Sequence, residues 1–309
     1  MEIQTRYASC QVRALWTRPA HALRSAVVRI LELSLGNVML VVVCAGCSLS
    51  PSGCSVGGVR PDFELKSFPG TLKFQSENSW AAEMVDGRYR LHNNVWNSKA
   101  IKGPYRQLVF VKEFKGKPSF GWVWSVKDSL APATYPEIQA GFSPWNGEVV
   151  PDSGFPFQAG TKKLVVSYDI GLTASGKYDV TLQSWIVSAL PPSKKTITDE
   201  VVILLANAGM PVPGERVAQA SLQGHAWSVH VDENHRDAAG NNTNTWTLIT
   251  LATDKPILRG SFDVGEVIDF LLKNGYLDPH AYVADLELGT DIMRGAGNAV
   301  VRDFWVSVN

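Results

Sequence analysis

The feature that most constrains the fold is a succession of short segments in which apolar and polar residues alternate, separated by Gly, Pro and Asn. Successive side chains of a strand point to opposite faces, so a period of two indicates strands with one face on a core. Many such segments with turns between them are typical of an all-β sandwich and not of a parallel α/β fold. The predicted strands cover residues 88–92, 107–111, 120–124, 163–168, 179–187, 198–206, 218–222, 226–231, 245–251, 281–288 and 300–308.

One segment, residues 262–274, departs from this period. Its apolar residues, from Val264 to Leu272, recur at the i, i+3, i+4 spacing of a helix with one buried face. Ser261 or Asp263 can cap its start, and a glycine stands just past its end. We therefore predict a two-sheet β-sandwich with a single α-helix near residues 262–274.

Length and charge narrow the classes of function. A chain of 309 residues with 45% hydrophobic content has ample core for one large β domain or two small ones. The 29 basic and 29 acidic residues cancel, and no basic stripe with interleaved aromatics occurs, so nucleic acid is not an expected partner. Of the 10 tryptophans, most must be core residues, and some can serve as flat platforms for sugars.

Residues 1–46 have the composition of an export signal. They are rich in arginine, have no acidic residue between Glu2 and Glu32, and continue into the apolar run 38–43. That run is too short to span a membrane as a helix. The small residues before Cys47 resemble a bacterial lipoprotein cleavage box, which implies a lipid on Cys47. We expect an exported protein, either a cell-envelope lipoprotein or a secreted protein, that meets the membrane only through this anchor.

The cysteine positions agree with this organisation. All 4 cysteines lie at or before Cys54, so a domain beginning near residue 62 has no internal disulfide and no Cys-ligated metal. The Ser- and Gly-rich residues 47–61 form a predicted flexible tether, followed by one domain over 62–309. No metal or other cofactor is expected, and we expect a monomer.

Three histidines also suggest a metal site at first sight. His225, His230 and His235 lie near two acidic residues, but their spacing matches no common ligand pattern. A solvated hairpin around residues 237–241 is the favoured interpretation.

The predicted strand 198–206 begins with carboxylates. Alternation places Glu200, Val202 and Leu204 on one face and the remaining apolar residues on the other. From the residues alone, Glu200 is either a solvated charge at a strand end or a carboxylate held in a cleft, and both interpretations stay open.

A series of short motifs surrounds this strand. In chain order they are Tyr178-Asp179-Val180 followed by Trp185, Glu200-Val201-Val202-Ile203, Phe270-Leu271-Leu272 and Gly289-Thr290-Asp291. In this order they resemble glycoside hydrolase family 12 over residues 78–309. The resemblance implies a concanavalin-like jelly roll that hydrolyses internal β-1,4-glucosidic bonds of a β-glucan, whether cellulose-like, mixed-linkage or xyloglucan.

The resemblance also assigns the catalytic carboxyl groups. Glu200 corresponds to the family's nucleophile, and Asp291 occupies the position where the family has a glutamate as acid/base. Retaining hydrolysis uses two carboxyl groups about 5–5.5 Å apart. Aspartate is shorter by one methylene, about 1.5 Å of reach. Three outcomes follow: slow retaining catalysis, inversion through a water, or glycan binding without catalysis.

Substrate contacts are implied in the same way. Asn94 and Trp96 lie in a run that resembles the family's Asn-Asn-x-Trp signature, in which the Trp stacks on a glucosyl ring and an Asn binds hydroxyls. Further candidates for the cleft are Tyr135, Trp145 and Trp185. Gln183 stands where the family commonly has an aspartate beside the nucleophile.

Two other acids and two other functions remain as alternatives. Glu287 is four residues from Asp291, about 13 Å along a strand, so we interpret it as a cleft-wall or solvated residue. Glu137 is a similarly weak candidate for the acid. The alternative functions are a glucan-binding lipoprotein with weakened or no catalysis, and an envelope protein whose cleft holds an unrelated ligand.

Overall fold

The computed structural model describes residues 65–309. The predicted leader, the tether and the lipidation site Cys47 lie outside the described residues. Within 65–309 there are one α-helix, two short 3₁₀ turns (Leu65–Ser67 and Ser98–Ala100) and sixteen strands. The helix, α1, is Val264–Lys273, and the strands are β1 (Thr71–Ser76), β2 (Ala82–Val85), β3 (Tyr89–Asn94), β4 (Ile101–Phe114), β5 (Lys117–Ser129), β6 (Tyr135–Gly141), β7 (Phe157–Gln158), β8 (Leu164–Val187), β9 (Ile197–Ala208), β10 (Glu215–Leu222), β11 (His225–Arg236), β12 (Thr245–Ala252), β13 (Arg259–Asp263), β14 (Tyr282–Val283), β15 (Asp285–Gly289) and β16 (Ile292–Val308).

The strands form two layers that are joined by β8. The N-terminal part of β8 pairs with β13 and β16, and β16 continues through β5 and β4 to β1. The C-terminal part pairs with β9 and β15. From β15 the ladder runs through β6 and β3 to β2, and from β9 it runs through β12 and β11 to β10. Because β8 has 24 residues, it belongs to both layers, and the two-sheet sandwich is continuous in hydrogen bonding.

The hydrophobic core fills the space between the layers. Phe120, Trp122 and Val166 from the first layer pack in one cluster with Leu182 and Ile203 from the second. Each buried side chain of this size contributes roughly 1.5–3 kcal/mol. The Trp122 indole also donates a 3.0 Å hydrogen bond to the hydroxyl of Thr290, which ties the first layer to the residue before Asp291. The core therefore fixes the backbone on which that carboxyl group is carried.

The structure confirms the helix predicted from the sequence. The Asp263 side chain caps the first turn by accepting a 3.2 Å hydrogen bond from the Glu266 amide. Val267, Ile268 and Leu271 are buried against the core. No helix within residues 65–309 has the length and apolar character needed to cross a bilayer.

The main departure from the predicted strands is β8. The predicted strands 163–168 and 179–187 belong to one strand that begins at Leu164, because the residues between them, Asp169 to Tyr178, pair with β16. Gly176 has φ 117° there and approaches the backbone of Arg294 so closely that a Cβ would lie 2.1 Å from its oxygen. The pairing is long-range, and the local pattern has no signal for it.

Candidate active site

Five neighbouring strands, β3, β6, β15, β8 and β9, carry polar side chains on the face opposite the core. In β8, Val180, Leu182 and Ile186 belong to the core, so Gln183 and Trp185 point the other way. Strand pairing aligns such residues across the sheet, since paired residues share a face: Glu287 lies opposite Gln139 and Gln183, and Trp185 opposite Glu200. We call this surface the polar face, and it comprises His92, Asn94, Tyr135, Glu137, Gln139, Thr181, Gln183, Trp185, Glu200, Asp285 and Glu287, together with Asp291 and Trp246.

Glu200 is held near the start of β9. Its Oε2 accepts a 2.8 Å hydrogen bond from Nε1 of Trp246, which comes from the neighbouring strand β12. The pKa of Glu200 is raised to about 8: burial raises it most, the Trp246 hydrogen bond opposes the rise, and the charges on Asp291 and Asp285 add to it. Of the two sequence-based interpretations, the held carboxylate applies, because the group is half-buried and hydrogen-bonded to the Trp246 side chain.

Asp291 occupies the link between β15 and β16. Its backbone oxygen accepts a 3.0 Å hydrogen bond from the Asp179 amide, and its own amide donates to Asp179 Oδ1 at 3.3 Å. The pKa of Asp291 is raised to about 7, because burial raises it by more than a hydrogen bond to the side chain of Trp96 lowers it. Trp96, expected to stack on sugar, is thus next to the expected acid.

Glu200 and Asp291 interact although they lie beside distant positions of β8. Glu200 pairs with Trp185, whereas Asp291 bonds to Asp179, and six residues of flat strand span about 20 Å. The charge on Asp291 nevertheless raises the pKa of Glu200. A register shift after Val180, between the two positions, marks a β-bulge, and a bulge bends a strand.

Three further carboxyl groups form a row on the polar face. Gln139 donates from Nε2 to Asp285 Oδ2 at 3.0 Å and to Glu287 Oε1 at 2.9 Å. The Glu287 and Glu137 carboxyls are also hydrogen-bonded to each other, which requires a shared proton because two carboxylates repel. Burial raises the pKa of all three. Glu287 is therefore buried, which excludes the solvated interpretation and leaves the cleft-wall one.

A histidine, an asparagine and an arginine lie beside this row. His92 Nδ1 lies 3.1 Å from Glu137 Oε1, and Asn94 donates to the same oxygen at 3.2 Å. Burial, helped by the charge of Arg90, lowers the pKa of His92 to about 4, so the imidazole is neutral at pH 7. Arg90 itself pairs with Glu148. Asn94, an expected sugar contact, is thus anchored to the carboxyl row.

Three tryptophans pack edge to face beside Glu200. The ring centroids are 5.2 Å apart for Trp145 and Trp185, 5.6 Å for Trp185 and Trp246, and 5.8 Å for Trp145 and Trp246. His235 contacts the Trp246 ring at 5.3 Å. The four residues come from four separate segments of the chain, and the other three pack around the Trp246 indole that donates to Glu200.

The predicted substrate-contact residues differ in their solvent exposure. Asn94, Trp96 and Trp145 are half-buried and can meet a ligand. Tyr135, Gln183 and Trp185 are only 4%, 7% and 5% exposed.

Tyr135, Gln183 and Trp185 therefore present little surface to a ligand, and their assignment as substrate contacts stays a prediction. Tyr135 contacts the Thr181 hydroxyl at 2.8 Å, and its ring lies so close to Gly289 that a Cβ there would come within 2.4 Å.

Several residues of the site had no assignment from the sequence. Asp285 could be found by alternation, because it shares a strand face with Glu287. His92 is likewise two residues from Asn94. Trp246 had no local signal, since only the parallel pairing of β12 with β9 brings it to Glu200. The expected solvated hairpin is confirmed: Asp237 accepts from the amides of Ala239 and Asn242 in the turn between β11 and β12.

Comparison with known proteins gives a family match. Residues 87–309 match the family model of glycosyl hydrolase family 12. Endoglucanase S of Pectobacterium parmentieri is 24% identical over 244 residues, which covers 77% of this chain and 89% of that protein.

Solved structures give the same fold. A family 12 xyloglucanase from Bacillus licheniformis superposes with a TM-score of 0.69 at 23% identity, over 76% of this chain and 100% of the other. Endoglucanase Cel12A from Rhodothermus marinus has a TM-score of 0.64 at 23% identity, over 77% and 99%. These likenesses support the jelly-roll form of the sandwich.

Proposed function

The chain belongs to glycosyl hydrolase family 12, and on this premise we propose that it hydrolyses internal β-1,4-glucosidic bonds of a β-glucan with Glu200 as nucleophile and Asp291 as acid/base. Family and relatives indicate an endoglucanase-like glycoside hydrolase. The observation that carries the residue assignment is that both carboxyl groups lie on the polar face, close enough for the charge of Asp291 to act on Glu200.

The proposed reaction has two steps. Protonated Asp291 donates its proton to the glycosidic oxygen while ionised Glu200 attacks the anomeric carbon, which gives a glycosyl-enzyme and a free chain end. Asp291 then removes a proton from water, which releases the sugar with retained configuration. The raised pKa of Asp291, about 7, suits a group that must hold a proton near neutral pH.

The raised pKa of Glu200 has the opposite effect on rate. Only the ionised carboxylate is a nucleophile, and its pKa of about 8 leaves part of the enzyme protonated at neutral pH. We therefore expect activity to rise with pH until the Asp291 carboxyl loses its proton.

The short side chain of Asp291 supports a second candidate function. Its backbone is tied to Asp179 by two hydrogen bonds, so the backbone cannot freely advance to restore the missing methylene of reach. If the Asp291 carboxyl is too far from the glycosidic oxygen to protonate it, the protein binds glucan through Asn94, Trp96 and Trp145 without efficient hydrolysis. A wider carboxyl separation also favours inversion, for which a water must fit between the groups.

The test is reducing-sugar release from soluble cellulose derivatives, mixed-linkage glucan and xyloglucan, with NMR of the first anomer formed. We expect release by the parent, loss in Glu200→Gln and Asp291→Asn, and a β-anomer. A faster Asp291→Glu variant shows that reach limits the rate. An inert parent that binds glucan selects the binding function, and mutants as active as the parent contradict the residue assignment.

Export and anchoring are a separate part of the proposal. The basic leader, its apolar run and Cys47 support a cell-envelope lipoprotein or secreted enzyme that acts as a monomer on external glucan. Metabolic labelling with a fatty acid checks this: we expect a labelled parent and an unlabelled Cys47→Ala variant.

A further inference from the structure

The hydrogen bond between Trp246 and Glu200 joins two strands that are distant in sequence. Strand β12 runs parallel to β9, with Leu248 opposite Glu200. Trp246 is two residues earlier and so lies on the same face as Glu200. Within residues 65–309, the 2.8 Å contact from Nε1 is the one side-chain hydrogen bond that Glu200 receives. It engages Oε2 alone.

The N–H of Trp246 stays directed at Glu200 because the indole ring is packed on several sides. Trp246 is 5% exposed and contacts Trp145, Trp185 and His235 edge to face. His235 is fixed in turn by a 3.0 Å contact to Asp232. A tryptophan ring has one donor, no acceptor and no charge. It can therefore orient a carboxylate without neutralising it as an arginine or lysine would.

The surroundings of Glu200 otherwise disfavour its ionised form. The residues that β8 places beside it, Gln183 and Trp185, are neutral. Burial and the neighbouring carboxyl groups both raise the pKa of Glu200. An N–H donor that stabilises the ionised form acts against them. The titratable groups around Glu200 are Asp285 and Glu287 from β15, Asp291 from the following link, and Asp232 and His235 from β11 behind Trp246.

We propose that Trp246 is the positioning residue of the nucleophile, holding Glu200 Oε2 through its indole N–H so that Oε1 is the oxygen that attacks the anomeric carbon. This inference rests on the proposed function, because it assigns Trp246 a role in the reaction of Glu200. Trp246 touches neither the substrate nor the bond that breaks, and it acts through the carboxylate.

The test compares two Trp→Phe variants that each remove one buried indole donor. Trp246→Phe keeps an aromatic ring in the cluster and removes the donor to Glu200. The control is Trp227→Phe, since Trp227 is 1% exposed in the core and donates to the Leu222 carbonyl at 3.2 Å. For Trp246→Phe we expect kcat to fall about 10- to 100-fold at near-constant KM, the range of a hydrogen bond to a charged group.

The pH profile separates positioning from packing. Because the pKa of Glu200 lies above that of Asp291, the basic limb of kcat/KM reports Glu200. In Trp246→Phe this basic limb should move up by about one pH unit, because the ionised nucleophile has lost its donor. Trp227→Phe should lower thermal stability and leave that limb in place. An unchanged limb in Trp246→Phe overturns the proposal, and an equal shift in both variants assigns the effect to packing.

Two further measurements keep the proposal testable if the parent is inert or the variant unfolds. Carbon NMR of labelled glutamate side chains, assigned with Glu200→Gln, reports the ionisation of Glu200 without turnover. Replacing Trp246 by β-(3-benzothienyl)alanine keeps the ring shape and removes only the N–H. We expect a higher Glu200 pKa with this analogue, and an unchanged titration refutes the role of Trp246. An inert parent contradicts the proposed function alone.

Discussion

The two faces of β9 are both screened from solvent, for different physical reasons. On one face Val201, Ile203 and Leu205 pack into the core between the layers, where burial is favourable by itself. On the other face, beside two buried apolar residues, Glu200 is half-buried among carboxyl groups, where loss of solvent favours its neutral form and is unfavourable to its charge. The same strand thus carries one wholly apolar face and one face that combines apolar residues with a carboxyl group whose burial is unfavourable.

Strand β15 repeats this contrast. Leu286 and Leu288 belong to the core, whereas Asp285 and Glu287 have their pKa values raised by burial on the polar face. The favourable free energy of burying the core therefore offsets the cost of burying carboxyl groups on the polar face. Substitutions on the two faces should therefore separate activity from stability, and the following predictions test that separation in order of decreasing effect.

The largest effect is expected for Glu200→Gln. The amide keeps the size of the side chain and removes the nucleophile, so kcat should fall at least about a thousandfold, as for other catalytic groups that act as a unit. The free energy of unfolding should stay equal or rise at pH 8, because a buried carboxylate has been removed. Steady-state kinetics and urea unfolding check both; lower stability at pH 8 would contradict the comparison.

The matched core variant is Leu205→Ala on the opposite face of the same strand. Leu205 is 0% exposed, and its truncation should lower the free energy of unfolding by about 2–5 kcal/mol through lost burial and a cavity. The kcat of the folded fraction should stay within about a fewfold of the parent. A large kcat loss at a temperature where the variant is folded would show that the faces are not separable.

The pH dependence of stability tests the polar face as a whole. Glu137 and Glu200 have folded pKa values near 8 against an ordinary 4.5, so the folded state holds more protons between those values. Unfolding free energy should therefore fall as pH rises from about 5 to 8, by up to about 1.4 kcal/mol per pH unit for each group.

His92 opposes this trend over part of the range. Its pKa is lowered to about 4, so its contribution is lost as pH falls below its ordinary value of 6.5. The buried carboxyls outnumber it, and the net slope should be negative. Urea unfolding at a series of pH values measures it, and a flat or rising curve above pH 6.5 would contradict the assigned burial.

The smallest effect on the contacts of the polar face is expected for Glu287→Gln. The amide oxygen can still accept from Gln139, and its NH₂ can donate to Glu137, so the contacts of the row are kept. Stability relative to the parent should rise as pH increases above about 5, by up to about 1.4 kcal/mol per pH unit. It should change little at pH 4, where the parent carboxyl is protonated in the folded state and mostly protonated in the unfolded state. Glu113→Gln, on the exposed part of β4, is the control and should change stability little.

Much of the fold was predictable from local pattern. Alternation located the main strands, and the helix followed from its apolar stripe and from Asp263 as its cap. The order of short motifs predicted the family, which the match over residues 87–309 bears out. The assignments of Glu200 and Asp291 came from that resemblance, and they stay predictions until the variants are measured.

The sequence by itself determined which residues alternate, where the helix starts and which family the chain resembles, because these depend on neighbours within a few positions. Tertiary structure decided what Glu200 meets: Trp246 across a parallel ladder, Asp291 across a bent sheet, and the carboxyl row of Glu137 and Glu287. Burial of those carboxyls and their shared protons depend on strands 40 to 150 residues apart, and no local pattern records such distances.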